Sequence, residues 1–194
     1  KNMLYKKTRL EDTFGVNMLA VADGRPETLG LKQILEYYIE FQYELATRKY
    51  QTLLAKEQEK REIQEGLIRA CDVIDLIIEI LRGSKNVKDA KACLIEGKTE
   101  NIRFKSEASR KRASKLRFTE RQATAILEMR LYRLIGLEIE ALLAENAQTL
   151  KNIAAYEDIL ENHSSMTRVI LKDMDAIKKV FARPRRTTVE NAEE

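Results

Sequence analysis

The sequence predicts a mainly α fold: a long antiparallel two-helix coiled coil with a small helical headpiece and a short non-helical or β segment near the N-terminus. Three observations predict it. The chain of 194 residues is 34% charged and only 6% aromatic, a composition typical of long amphipathic helices. It has two prolines and seven glycines, too few turn formers for a sandwich or barrel of short strands. Two long stretches repeat apolar residues every three or four positions.

Residues 1–29 are the least helical part of the chain and lead into the coiled coil. A short helix is predicted over Met3–Leu10, followed by one strand-like segment within Phe14–Val21. Asp23–Pro26 reads Asp-Gly-Arg-Pro, a turn signal. Because a lone strand cannot satisfy its own backbone, it needs a partner, for which sequence outside this chain is a candidate. The chain starts at Lys1 and is interpreted as a piece of a longer protein.

The outgoing helix of the coiled coil is predicted over residues 30–83. Its apolar residues follow helical spacing from Leu31 to Leu81, thin out in the middle and are interrupted only by Gly66. Gly83 supplies the stop. A helix of about 52 residues would be roughly 78 Å long. In its middle part the apolar stripe is narrow and can pack against only one neighbouring helix, as in a two-helix coiled coil.

The headpiece is predicted over residues 84–136. It begins with a short helix that ends at Ile95, with Asn86 as its N-cap. A basic insertion, about 98–116, has few apolar residues and no clear period. Thr119–Gln122 then has the form of a capping box, which opens a helix over Ala123–Leu134 before a stop or hinge at Gly136.

The returning helix is predicted over residues 137–183, and a tail follows over residues 184–194. Its apolar pattern falters at Asn162–Ser165, where the residue types favour caps and turns over helix. Pro184 ends the helix. The two limbs are similar in length and flank a compact middle, which favours an antiparallel pair. Gly136 and Ser164 are the predicted hinges.

No catalytic, cofactor-binding or metal-binding signature is present in the sequence. The single His163 lies in the polar break, where an exposed cap or turn is expected, and there is neither a Walker loop nor a Gly-rich dinucleotide loop. Cys71 and Cys93 are too few for a disulfide framework or a zinc site, and they indicate reduced thiols in a cytoplasmic protein. No apolar run reaches about 18 residues, so no membrane helix is expected.

Three segments resemble the A subunits of bacterial type IIA topoisomerases. Thr13–Pro26 resembles the segment that leads into the family's long coiled-coil helix, so residues 1–29 would be the end of its tower or connector. Gln122–Glu138 looks like the family's headpiece signature, and Arg185–Thr188 resembles the end of its breakage–reunion domain. Within the family, the resemblance is closest to the A subunits of DNA gyrase, with those of topoisomerase IV as near neighbours.

The resemblance implies that this region is the exit gate, or C-gate. In the family, two coiled-coil arms hang below the DNA-cleaving platform, their headpieces form a homodimer, and a transported double-stranded DNA leaves between them. The parent protein would be an ATP-dependent isomerase, with ATP and Mg²⁺ held through its partner B subunit. The family's nucleophilic Tyr directly follows an Arg, and no Arg-Tyr pair occurs here. We therefore carry over no catalytic residue and expect this piece alone to be inactive.

A gate needs a reversible contact between headpieces, which we place on the signature helix and its exit. The candidate interface residues are Leu127, Met129, Arg130, Leu131, Tyr132, Leu134 and Ile135. For Leu127, Leu131 and Leu134, packing inside the headpiece core is an equal alternative. Tyr, Arg and Met are the better candidates, because they are enriched at interfaces.

The basic insertion departs from the family, which usually joins the two headpiece helices by a few residues. Between Arg103 and Arg121 there are eight basic and two acidic residues, a local charge of +6, so the rest of the chain sums to −2 against a total of +4. The insertion is interpreted as an extended surface loop or as a DNA contact. Its candidate DNA-contact residues are Arg110, Lys111, Arg112 and Lys115. Two other function classes stay open: a monomeric nucleic-acid-binding arm, and a coiled-coil scaffold.

Overall fold

The computed structural model describes residues 2–130 and 136–189, and it confirms the mainly α fold. The chain forms two compact units, which divide between Ala46 and Thr47. In chain order the elements are α1 (Asn2–Lys7), β1 (Leu19–Ala22), β2 (Arg25–Thr28), α2 (Leu31–Asp72), α3 (Ile74–Gly83), α4 (Val87–Glu96), α5 (Glu107–Ala113), α6 (Glu120–Glu128), α7 (Gly136–Glu161) and α8 (His163–Phe181).

The first unit contains a two-stranded antiparallel hairpin, β1 with β2. Asp23 and Gly24 both have positive φ, 50° and 77°, as in the two-residue hairpin turn whose twist matches that of the strands. The strand therefore has its partner within this chain, and Ala22 pairs with Arg25 directly across the turn. The expectation of a partner outside the chain was wrong, because Pro26 made β2 look like a turn rather than a strand.

The outgoing helix is divided into α2 and α3, where a single helix was predicted. Val73 separates them with φ −123° and ψ 28°. Hydrogen bonds continue across the division, since the Val73 N–H donates to the Ala70 carbonyl at 3.2 Å and the Ile77 N–H donates to the Val73 carbonyl at 3.1 Å. Because the apolar period also continues, nothing in the sequence signals this break.

In the second unit, α2 pairs with α7 as a coiled-coil hairpin. Asn146 Nδ2 donates to Gln64 Oε1 at 3.4 Å, and the rings of Tyr50 and Tyr156 have centroids 5.6 Å apart. The contact of residue 64 in α2 is with residue 146 in α7, and the contact of the earlier residue 50 is with the later residue 156. The two helices are therefore antiparallel, as predicted.

The returning limb breaks at Asn162, between α7 and α8. The Asp158 carboxylate accepts hydrogen bonds across this break, from Ser165 Oγ at 2.7 Å and from Asn162 Nδ2 at 2.5 Å. The bond from Ser165, followed by that from Asn162, lowers the pKa of the Asp158 carboxyl from its ordinary value. The predicted hinge residue Ser164 lies in the first turn of α8, and Gly136 is the first residue of α7.

Candidate functional site

The headpiece packs around one apolar core, to which α2 and α3 also contribute. Ile80, Cys93 and Leu94 are among its fully buried side chains. The buried members of this headpiece core are Leu67, Ala70, Leu76, Ile77, Ile80, Ala90, Cys93, Leu94, Ile102, Ala113, Phe118, Ala123 and Ile126. The headpiece is thus fixed to the end of the outgoing limb by a shared core.

The predicted N-cap of the first headpiece helix is confirmed. The Asn86 side chain accepts a hydrogen bond from the Asp89 N–H at 2.8 Å, and Gly97 ends α4 in the left-handed conformation. The chain then returns to α3, where the Arg103 N–H donates to the Gly83 carbonyl at 3.1 Å. These contacts place the basic segment beside α3.

The basic segment contains the helix α5, so its interpretation as an extended loop was wrong. Ser106 Oγ caps α5 by accepting from the Ser109 N–H at 3.1 Å, and Ala113 is fully buried in the headpiece core. The Lys105 N–H donates to the Glu79 carboxylate on α3. Only Ala113 of this helix is buried, so the sequence offered no apolar period from which to predict it.

The candidate DNA-contact residues Arg110, Lys111, Arg112 and Lys115 are all exposed. Arg110 Nε donates to Thr99 Oγ1 at 3.3 Å. Within residues 2–130 and 136–189, none of the four cations forms an ion pair.

The predicted capping box opens α6 and is confirmed. Thr119 Oγ1 accepts from the Gln122 N–H at 3.2 Å, and Gln122 Oε1 accepts from the Thr119 N–H at 3.1 Å. The same two side chains also reach α2, which the sequence did not reveal. Thr119 Oγ1 donates to the Glu62 carboxylate at 2.6 Å, and Gln122 Nε2 donates to the Glu62 carbonyl at 2.8 Å. One set of polar groups therefore starts the helix and anchors it.

The close approach of α6 to α2 explains Gly66. A Cβ at this position would lie 2.4–2.8 Å from the side-chain carbons of Gln122, so only a residue without a side chain fits at this crossing point. Gln122 is itself buried, and Arg121 Nη1 adds an ion pair with Glu59 at 3.1 Å on the exposed side. Gly66, which interrupts the apolar pattern of α2, is thus the point at which α6 crosses α2.

The other end of α6 stops earlier than predicted. Met129 has φ −67° and ψ 131°, which is extended backbone, so the helix ends at Glu128 rather than Leu134. Leu127 and Met129 are half-buried and pack against the headpiece core, whereas Arg130 is exposed. The remaining candidate interface residues, Leu131, Tyr132, Leu134 and Ile135, lie outside the described residues.

Comparison with protein families matches residues 1–175 to the model that describes the A subunits of DNA gyrase and topoisomerase IV. The chain belongs to this family. The match covers the headpiece, the crossing of α6 over α2 and most of both limbs. The family assignment that the three sequence segments suggested is therefore confirmed.

Relatives of both kinds cover nearly the whole chain. The DNA gyrase A subunit of Clostridium acetobutylicum is 40% identical over 192 residues, which is 99% of this chain and 21% of the relative. The DNA gyrase A subunit of Aminobacterium colombiense is 39% identical over 98% of the chain and 21% of its own length. The DNA topoisomerase 4 A subunit of Staphylococcus aureus is 35% identical over 98% of the chain and 22% of its own length. The chain spans about a fifth of these relatives.

The described part of this family member contains no cluster of three or more His, Cys, Asp or Glu side chains that could hold a metal ion. His163 is exposed at the start of α8, with its Nδ1 3.4 Å from Thr167 Oγ1. Cys71 and Cys93 are free thiols, and burial raises the pKa of Cys93 to about 11, which makes it a poor nucleophile. Among the helices described, none is long and apolar enough to cross a membrane.

Proposed function

We propose that this chain forms the exit gate of a bacterial type IIA DNA topoisomerase. Its headpiece pairs with the headpiece of a second copy and keeps the DNA-transport channel closed. The pair separates to release the transported duplex and then closes again. The residues that make the contact lie at the exit of α6 and are Leu127, Met129, Arg130, Leu131, Tyr132, Leu134 and Ile135.

The observation that supports this proposal is that one end of α6 is fixed to α2 and the other end is not. Its start is fixed on α2 by Thr119, Gln122 and the close crossing at Gly66. Its end leaves helical geometry at Met129 and exposes Arg130 to solvent. The residues proposed for the contact therefore follow a helix that is held firmly in place. A gate needs such support, because it must present the same surface after each opening.

A symmetric contact would place the same patch on both partners. An interface of standard size buries about 1,600 Å² in total, and interfaces of that size range from micromolar to picomolar affinity. That range includes contacts that are closed at rest and can still be opened. We infer that opening uses the two predicted hinges, Gly136 as the first residue of α7 and Ser164 beside the helix break at Asn162.

The activity of the whole parent protein belongs to the same proposal. We infer an ATP-dependent DNA topoisomerase of the gyrase type, with double-stranded DNA as substrate and a B subunit that supplies ATP and Mg²⁺ binding. Topoisomerase IV is the alternative. The nucleophilic tyrosine would lie outside this sequence, so we expect this chain alone to neither cleave nor relax DNA.

The test is the dimerisation of variants that place a carboxylate in the proposed contact. We expect Tyr132→Glu and Arg130→Glu each to weaken the dimer in sedimentation velocity, because a carboxylate placed in a two-fold contact faces its own copy. The helical circular dichroism should stay unchanged. The matched control is Lys88→Glu, an exposed headpiece residue on α4, which should leave the dimer intact. If both test variants dimerise like the unmodified chain, the interface assignment is wrong.

A monomeric nucleic-acid-binding arm is the rival function, and the same measurement separates the two. An arm does not need to dimerise, whereas a gate does.

A further inference from the structure

The basic residues of the headpiece differ in how far the protein itself uses them. Arg117 Nη1 donates to the carbonyls of Ser114 and Leu116 at 2.9 and 2.6 Å, and it therefore helps to end α5. Arg110 donates to Thr99. Both arginines are therefore hydrogen-bonded within the chain, although each guanidinium retains further donors.

A second group of cations lines a groove between α3 and the segment before α5. Arg82, Arg103 and Lys105 share this groove with the carboxylates of Asp75 and Glu79. The two acidic side chains offset most of the positive charge, so we do not place a polyanion there.

Three further cations, Lys111, Arg112 and Lys115, lie in the last turn of α5 and just beyond its end. All three are exposed, and within the described residues their side chains make neither a hydrogen bond nor an ion pair. The one acidic residue of α5, Glu107, lies in its first turn, at the opposite end of the helix. None of the three charges is paired with a carboxylate among the described residues.

These three residues are presented by an ordered element. Ser106 caps α5, Ala113 anchors it in the headpiece core, and the Phe118 N–H donates to the Leu94 carbonyl at 2.9 Å just beyond it. Cations near a helix C-terminus also stabilise the helix itself by interacting with its dipole. That role needs a charge in the last turn, and Arg110 supplies one there beside Lys111 and Arg112.

We infer that Lys111, Arg112 and Lys115 form a contact for the phosphate backbone of double-stranded DNA. The ligand is identified by its chemistry: a row of phosphates is recognised by exposed, unpaired Lys and Arg side chains without sequence specificity. The contact uses residues other than those proposed for the dimer interface and goes beyond the gate function. It would hold a duplex weakly beside the headpiece, because few charges are involved.

The experiment uses the 194-residue chain and a labelled DNA duplex of about 20 base pairs, with affinity measured by fluorescence anisotropy between about 50 and 200 mM salt. The variant carries Lys111→Gln, Arg112→Gln and Lys115→Gln. Because each phosphate contact adds about 0.9 to the slope of log affinity against log salt, we expect the slope to become shallower by about 2.7. Over that fourfold salt range, the variant should lose about 40-fold less affinity than the unmodified chain.

The matched control carries Lys178→Gln, Lys179→Gln and Arg183→Gln. It removes the same charge from the end of another helix, where the three residues are also exposed, and it should keep the full slope. A charge-preserving variant with Lys111→Arg, Arg112→Lys and Lys115→Arg should keep it too, because the slope depends on the charges. The helical circular dichroism of the Gln variant should match that of the unmodified chain. Sedimentation of the same samples reports the dimer separately.

Three outcomes would overturn the inference. An unchanged slope in the Gln variant would show that these residues do not meet phosphates. An equal loss in the control would show a non-specific charge effect. Binding of polyglutamate with the same affinity and slope as DNA would point to an acidic protein partner instead.

Discussion

The headpiece and the coiled-coil hairpin bury side chains in different ways. The headpiece has a continuous apolar core, with Ile80, Cys93 and Leu94 fully enclosed. In the hairpin of α2 with α7, the buried side chains include the polar Gln64 and Thr149 beside the apolar Ile153. Buried polar groups in a coiled coil fix the register of the two helices at a cost in stability. The difference therefore indicates that the second unit combines an apolar, well-packed headpiece with a helix pair whose register is well defined but whose pairing is weaker.

Two buried glutamines make the comparison concrete. Gln122 in the headpiece is bonded at both ends of its amide. Gln64 in the hairpin accepts one long bond from Asn146, and its Nε2 has no hydrogen-bond partner among the residues described. The polar side chains are thus more fully hydrogen-bonded in the headpiece than in the hairpin.

The largest expected effect comes from a cavity in the headpiece core. Ile80→Ala should lower the free energy of unfolding by about 2–5 kcal/mol, because Ile80 is fully enclosed. The matched hairpin variant is Leu150→Ala, whose side chain is 42% exposed and which should cost no more than about 1.5 kcal/mol. Urea unfolding followed by circular dichroism measures both. Equal losses would remove the distinction between the two regions.

Gly66→Ala tests the crossing of α6 over α2. Alanine is favoured over glycine in a helix interior by about 1 kcal/mol, but its Cβ would overlap Gln122, and overpacking costs about 1–3 kcal/mol. We therefore expect a net loss of stability and increased amide exchange in α6. Lys60→Ala, at an exposed position of the same helix, should change stability by no more than about 0.5 kcal/mol. A stabilised Gly66→Ala protein would mean that the crossing is not tight.

The two glutamines should respond with opposite signs to the same substitution. Gln122→Leu should cost about 1–3 kcal/mol, because the Glu62 carbonyl and the Thr119 N–H lose their partner. Gln64→Leu should be neutral or stabilising by up to about 1 kcal/mol, because it removes an unpaired buried donor. Thermal unfolding of the pair decides, and a large loss from Gln64→Leu would contradict the account of the hairpin.

The smallest expected effect is a pH response at the break between α7 and α8. Hydrogen bonds from Ser165 and Asn162 lower the pKa of Asp158 below its ordinary value of 3.8. Their contribution is therefore fully present above pH 3.8 and is lost as the pH falls through the lower, folded-state pKa. Amide exchange at α8 should rise in that acidic range. Asp158→Asn should remove the pH dependence of this step, and a persistent dependence would place its origin elsewhere.

Much of the fold could be predicted because it is encoded locally. The amphipathic limbs, the N-cap at Asn86 and the capping box at Thr119 each depend on residues within one or two helical turns. Their hydrogen bonds in the structure are those that the sequence pattern requires.

The features that could not be predicted depend on contacts between distant residues. Ala113 anchors α5 in a core assembled from other helices, and the division at Val73 has no local signal. Gly66 is explained by Gln122, a residue 56 positions away in α6. At the candidate site, the sequence predicted the capping box that opens α6 but could not show that the same cap also binds α2.

The central claim is that the headpieces of two copies bind each other. The oligomeric state of the unmodified chain in solution tests this claim most directly. Sedimentation velocity over a dilution series that starts at about 50 μM should give a dimer at that concentration, because an interface of standard size has micromolar or tighter affinity. A species that stays monomeric at that concentration, with its helical signal intact, would contradict the account.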